Sequence, residues 1–271
     1  MKFIAPAKIN LNLNITGRRD DGYHTLDSIM VFTRWGDEIT ITPANDLKFT
    51  VDGEYADIFT PELLSVERDS PNLIIRALWI MADKAKKEPH FHIHLTKNIP
   101  AGAGLGGGSS DAAMIMRALN NHWDMGLSMD NLCIMGLTLG AELPVCLHGK
   151  PAHVRGIGDI ITPIDIEPLY ILIVWLNHEL STIEMFKHYH QSELPFTQFN
   201  SDWQSSQNDL TGSAIQLCPN IGDLLSALMD CDGCIIARMS GSGSACFGIF
   251  KTAEQSEKAS QNFKNSISTC N

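Results

Sequence analysis

The 271-residue chain has no surplus of basic residues: 20 Lys and Arg stand against 31 Asp and Glu, a formal net charge of −11. That balance argues against nucleic acid or an anionic membrane as a main partner, while leaving room for a small anionic substrate held by local cations and backbone amides. No apolar run approaches the roughly 18–20 residues of a membrane span. The longest, Leu169–Leu176, has the length of a buried strand. The seven cysteines are odd in number and scattered, so no disulfide framework is expected, which suits a reducing compartment. The one close pair, Cys231 and Cys234, has no second pair or histidine cluster beside it and reads as the flanks of an Asp232-Gly233 turn. No leader segment is expected, because Ile4-Ala-Pro-Ala already reads as folded structure, and the expected location is the cytoplasm.

What is present is enough for one large or two modest cores, with 44% hydrophobic and 19% charged residues. Residues 8–15 alternate: Lys8, Asn10, Asn12 and Asn14 on one side of a strand, Ile9, Leu11, Leu13 and Ile15 on the other. Strands are expected near 25–34, 37–42, 47–52 and 91–96, and an amphipathic helix over 72–81 after Ser70-Pro71. On the 91–96 strand, His92 and His94, with His90 before them, alternate with Phe91, Ile93 and Leu95, a pattern of solvent-side histidines on a half-buried strand rather than of metal ligands. A helix is expected near 128–139 and a break at 149–158. Beyond it come a buried strand at 169–176, a helix capped by Ser181-Thr182, a polar loop over 191–207, helices near 208–217 and 221–230, a hairpin of 234–238 with 245–250, and a last helix over about 253–267. Strands and helices mix without strict alternation, so the class is α+β, in two domains, 1–150 and 151–271.

The most telling segment is Pro100-Ala-Gly-Ala-Gly-Leu-Gly-Gly-Gly-Ser-Ser110, with five glycines and two serines in eleven residues. Its amides can turn together toward one anion, and Ser109-Ser110-Asp111 reads as the capped start of a helix. A glycine loop feeding a helix N-terminus is a phosphate cradle, because loop amides and helix dipole both favour negative charge. Gly102, Gly104 and Gly107 satisfy the dinucleotide fingerprint literally, but no acidic residue ends a following strand about 20 residues on. The Walker loop is excluded because Gly107-Gly108-Ser109 lacks the lysine. A flexible linker is disfavoured by the apolar runs on both flanks.

Three further features can carry chemistry. Lys8 is a cation on a strand face otherwise lined by asparagines, where the ordinary alternative is a lysine snorkelling along an edge strand. Glu142, in Gly140-Ala-Glu-Leu-Pro144, is a lone carboxylate between a helix end and a proline, otherwise an ordinary loop acid. Ser240-Gly-Ser-Gly-Ser244 is a second small-residue loop, either closing on a phosphate tail or simply turning a hairpin. Composition and spacing stop at a nucleotide-binding enzyme of phosphoryl transfer.

Pro6-Ala-Lys8-Ile-Asn10, Pro100–Ala113 and Ser240-Gly-Ser-Gly243, in that order, resemble the three motifs of the GHMP kinase superfamily. Ala5–Leu13, Gly17-Arg-Arg-Asp-Asp-Gly-Tyr-His24 and Gly140–Pro144 narrow the resemblance to members acting on a cytidine diphosphate derivative. The resemblance implies an N-terminal domain like ribosomal protein S5 domain 2 and a ferredoxin-like C-terminal domain. It implies ATP as phosphoryl donor with Mg²⁺ assisting, and a small molecule rather than nucleic acid or membrane as partner.

The resemblance also implies that Pro100, Ala101, Gly102, Ala103, Gly104, Leu105, Gly106, Gly107, Gly108, Ser109 and Ser110 wrap the ATP phosphates. Asn72, Leu73 and Lys97 would lie near adenine and ribose. Tyr23 and His24 would hold the cytosine, with Asn10 and Thr182 on the substrate side, and Lys8 with Glu142 would be the catalytic pair. The family pattern has Asp where this chain has Glu142, and the extra methylene moves the carboxylate by roughly 1 Å, a displacement that can cost about 100-fold in rate. A homoserine or mevalonate kinase of the same superfamily, or a catalytically weakened relative, are the alternatives left open.

Overall fold

The computed structural model describes residues 1–192, 194–197, 202–263 and 266–270. In chain order the strands are β1 (Lys2–Asn10), β2 (Asn14–Arg18), β3 (His24–Pro43), β4 (Lys48–Asp52), β5 (Phe91–Thr96), β6 (Ala152–Gly156), β7 (Ile160–Pro163), β8 (Tyr170–Val174), β9 (Cys234–Met239), β10 (Cys246–Phe250) and β11 (Ser266–Cys270). The helices are α1 (Pro61–Leu64), α2 (Leu73–Ala85), α3 (Gly107–His122), α4 (Met129–Leu137), α5 (Leu143–His148), α6 (Thr182–Gln191), α7 (Thr211–Leu217), α8 (Asn220–Met229) and α9 (Ala253–Ser260). The chain divides into two compact units: Met1–Ala7, Trp35–Ala101 and Gly106–Gly149 form one, and Lys8–Arg34, Gly102–Leu105 and Lys150–Asn271 the other. A single cut at 150 therefore differs from the contact pattern for Lys8–Arg34 and Gly102–Leu105, which cluster with the later part of the chain.

In the first unit, residues 38–43 of β3 pair antiparallel with β5, and β4 joins β5 in parallel. Phe91, Ile93 and Leu95 fill the core face, while His92 and His94 stay half-buried and share the Thr50 hydroxyl at 2.8 and 2.9 Å. The alternation thus gives the half-buried strand expected, and no group of three metal-ligating side chains occurs among the described residues. Helix α2 forms because Asn72 caps it, its Oδ1 accepting from Ile74 N at 3.0 Å, and because Ile74, Ile75, Leu78, Met81 and Ala82 fall on one buried stripe. That stripe packs α2 against α3.

In the second unit, residues 26–30 of β3 pair with β6, and β6 turns back into β7. The second sheet has the order β11-β8-β10-β9, antiparallel throughout. Ile171–Val174 of β8 are buried, and Met185, Tyr189, Leu210, Ala214, Ile221, Leu224 and Leu228 from the helices close the same core with Leu13 and Ile15.

Several elements differ from their expectation. The strands expected at 25–34 and 37–42 are one twenty-residue strand, β3, since Trp35-Gly36 continues it without a turn. The 149–158 break is the start of a hairpin, β6 and β7. The last helix stops at Ser260, and β11 follows it as an edge of the second sheet. Part of the 191–207 loop lies outside the described residues. Beyond it, Gln207 and Asp209 bracket Leu13 with backbone bonds of 3.0 and 2.8 Å.

Candidate active site

Three glycines bend the loop. Gly102, Gly104 and Gly106 adopt φ of +61°, +75° and +67°, the left-handed region that costs other L-residues energy. Gly104 is also required by space, because a Cβ there would lie 2.1 Å from the Ser240 carbonyl oxygen. The helix that follows begins at Gly107, earlier than expected. Ser109, Ser110 and Asp111 are inside it and do not cap it; its N-cap is Gly106, which has no side chain to offer. The first intrahelical bond in place is Ser110 N to Gly106 O at 2.9 Å. The orphan amides of the first turn, with about half a positive charge from the helix dipole, are therefore left for an external anion.

Beside this helix start, Lys97 is buried with two carboxylates. Its ammonium donates to Asp37, and Asp111 Oδ2 lies 3.3 Å away; the three side chains are 4%, 0% and 3% exposed. Burial works against the lysine's charge, but Asp111 and Asp37 outweigh it and hold its pKa above the ordinary value. Burial and the neighbouring Asp37 push Asp111 well up, against the pull of Lys97. Lys97, expected near the nucleotide, thus spends its ammonium within the fold. Asn72 does likewise, capping α2 and donating to the Leu63 carbonyl at 2.9 Å. Leu73, the first residue of α2, is close enough that a Cβ on Gly108 would touch it at 3.6 Å.

Lys8 is fully buried, which removes the snorkelling alternative. Its ammonium donates to Asn10 Oδ1 at 2.7 Å and to the Gly104 carbonyl at 3.2 Å. Asn10 in turn donates from Nδ2 to Ser28 Oγ at 2.8 Å, and its backbone N–H donates to Ser240 Oγ at 3.2 Å. Ser240 Oγ also donates to the Gly104 carbonyl at 3.0 Å. Lys8, Asn10, the glycine loop and the second small-residue loop therefore share one network. Asn10, expected to line the substrate, is 1% exposed and orients the lysine.

His24 stacks on Phe186 with ring centroids 5.2 Å apart and planes inclined by 23°. Tyr189 and His190 meet it edge-on. Its Nε2 is buried with no hydrogen-bond partner. Burial, then the Arg18 and His190 charges, hold its pKa below the ordinary histidine value. Tyr23 next to it is 61% exposed, an amphipathic ring turned outward. Thr182, the first residue of α6, shares a 2.9 Å hydroxyl contact with Ser242. Glu142 stands at the N-cap of α5, where its side chain does not cap the helix.

Sequence reasoning missed Asp37, Asp111 and Ser28 in these networks. Asp111 was readable as a helix residue but not as an ion partner, because nothing local links it to positions 37 and 97. Phe186, Tyr189 and His190 were also missed, although their i, i+3, i+4 spacing on a helix puts them on one face.

The descriptions "GHMP kinases N terminal domain" and "GHMP kinases C terminal" fit residues 72–160 and 198–268. The chain is 38% identical to 4-diphosphocytidyl-2-C-methyl-D-erythritol kinase of Mesorhizobium japonicum over 96% of its own length and 90% of the relative's. It is 40% identical to the kinase of that name in Brucella melitensis, over 91% and 85%. A crystal structure of 4-(cytidine 5'-diphospho)-2C-methyl-D-erythritol kinase superposes with a TM-score of 0.85 at 28% identity, covering 100% of this chain and 98% of the other. The chain belongs to the GHMP kinases and, within them, to the family of the 4-diphosphocytidyl-2-C-methyl-D-erythritol kinases.

Proposed function

We propose that the chain transfers the γ-phosphoryl group of ATP to the 2-hydroxyl of 4-diphosphocytidyl-2-C-methyl-D-erythritol, a step of non-mevalonate isoprenoid precursor synthesis. The observation that carries this reading is the left-handed glycine loop ending in the uncapped first turn of α3, in a chain of that kinase family. The loop fits a polyphosphate because it offers amides and no side chain that would obstruct their approach. Mg²⁺ arriving with the nucleotide would offset the charge of its phosphates.

Each residue then has a distinct task. Glu142 takes the proton of the attacking hydroxyl as the new P–O bond forms and the bond to the β-phosphate oxygen breaks, releasing ADP. Lys8 offsets the charge that builds on the transferring group, held in place by Asn10. Tyr23 offers a face to the cytosine, and the neutral His24 offers a ring nitrogen to its polar edge. Positioning and charge stabilisation carry most of the acceleration in phosphoryl transfer, so a base displaced by one methylene slows the step without abolishing it.

The test is coupled ADP release with ATP, Mg²⁺ and the cytidyl substrate, beside mevalonate and homoserine. Turnover with the cytidyl substrate alone is expected; turnover with either control in its place would sink the proposal. Glu142→Gln is expected to abolish turnover and Glu142→Asp to keep or raise it. A fully active Glu142→Gln protein would remove Glu142 from the mechanism.

A further inference from the structure

The phosphate loop has almost no side chains with which to hold itself in place, yet phosphate binding demands that its amides stay fixed. One buried ion cluster in the first unit grips the polypeptide on both sides of the loop. On the entering side, Asp37 Oδ1 accepts from the backbone N–H of Asn98 at 2.5 Å and of Ile99 at 2.7 Å. On the leaving side, Asp111 reaches back from α3 to Lys97, whose ammonium is bound to the same Asp37. That ammonium lies directly against the first residue of the helix. A Cβ on Gly107 would stand 2.9 Å from Lys97 Nζ and 3.0 Å from Ile99 Cγ2.

We propose that Asp111 is a positioning residue for phosphoryl transfer: with Asp37 it clamps Lys97 under Gly107 and thereby fixes the first turn of α3, whose amides hold the ATP phosphates. The proposal rests on the reading of Gly102–Ser110 as the ATP loop. Charge bookkeeping supports it. One ammonium between two ionised carboxylates would leave a net negative charge beneath an anion cradle, opposing the nucleotide. Asp111 Oδ1 is buried with no partner, and burial together with Asp37 favours the protonated carboxyl. That upward shift lessens the negative charge beneath the cradle, which then opposes the helix dipole less. Asp111 Oδ2 accepts from the Lys97 ammonium, a contact that the oxygen of an amide of the same shape can keep.

The experiment compares Asp111→Asn with Asp111→Ala in steady-state kinetics, varying ATP and the cytidyl substrate separately, with a thermal melt of each protein. Asp111→Asn is expected to keep the KM for ATP within about twofold of the parent, because the amide oxygen keeps the contact to Lys97. Asp111→Ala is expected to raise the KM for ATP about 10- to 100-fold and to leave that for the cytidyl substrate within about threefold. If the alanine variant does not fold, Lys97→Met is measured in its place with the same split expected. An unchanged KM for ATP in a folded truncation variant, equal shifts for both substrates, or an Asn variant as impaired as Ala would each overturn the proposal. So would unfolding of both truncation variants, which would make the cluster a stability element alone. A parent protein that binds no ATP would instead overturn the loop reading itself, and is told apart because the parent, not the variant, is then silent.

Discussion

The Lys8 ammonium and the Asn10 side-chain oxygen lie 2.7 Å apart, both residues buried and two positions apart on one strand. Side chains at i and i+2 share a face, so the strand itself delivers the cation to its orienting partner. A lysine placed by extended backbone and a rigid amide has few rotamers to search. Lys8→Met keeps the packed stem and removes the charge. It is expected to lower kcat by about 10²–10³-fold, the usual effect of removing one preorganised charge-stabilising group. The KM for ATP should stay within about threefold, since the proposed phosphate contacts are the loop amides and not Lys8. Steady-state kinetics with each substrate varied decides it, and a kcat near that of the parent would remove Lys8 from the chemistry.

The two kinds of glycine in the 102–108 loop should separate on substitution. Gly104→Ala places a methyl group against the Ser240 carbonyl at a positive φ and is expected to cost stability and activity together. Gly108→Ala meets only Leu73 at 3.6 Å, within an ordinary helical turn, and is expected to fold at least as well as the parent. Melting temperatures of the pair would show it; equal losses in both would contradict the geometry.

His24 is kept neutral by burial, Arg18 and His190. A histidine whose folded pKa is depressed contributes stability above its unfolded value of about 6.5 and loses it as pH falls through the folded value. A proton arriving on His24 also changes what the ring offers to a cytosine. The KM for the cytidyl substrate is therefore expected to rise in acid while that for ATP changes little, and His24→Asn should flatten the difference. Arg18 and His190 face the same ring, so Arg18→Gln is expected to shift the acid limb upward. A KM for the cytidyl substrate that is as acid-sensitive in His24→Asn as in the parent would exclude this role.

Asn208 ties down the second small-residue loop. Its Nδ2 donates to the carbonyls of Met239 and Gly241, each at 2.8 Å, and its Oδ1 accepts from Leu210 N at 3.0 Å. Asn208→Ala leaves these groups without that partner in a buried place and is expected to cost about 2–4 kcal/mol. Urea unfolding measures it. A loss below about 0.5 kcal/mol, the ordinary surface range, would mean that water or a rearranged loop replaces the amide.

Much of this was legible in the chain because it is local. The glycine turns and the helix beginning at 72 depend on neighbours within a few residues, so local pattern reaches them, whereas the one strand expected over 8–15 is divided between β1, which ends at Asn10, and β2, which begins at Asn14. What local pattern could not supply is what tertiary contact decides. Asp37, Lys97 and Asp111 come together from three separate elements, and only the burial of both faces of its strand decides against an edge-strand position for Lys8. The start of α3 was misplaced for a related reason. Ser and Asp are good caps in general, but here a left-handed glycine takes the position and leaves the amides open.

That choice of glycine has a consequence for resistance to inhibitors. On the proposed reading of the glycine loop, a compound that competes there with ATP would contact backbone at Gly102, Gly104 and Gly106, where any replacement strains the chain before it disturbs the drug. A compound that competes at the exposed Tyr23 ring meets a side chain the fold can exchange. Selection under the first kind of inhibitor should therefore return mutations outside the loop, while selection under the second should return them at the ring itself.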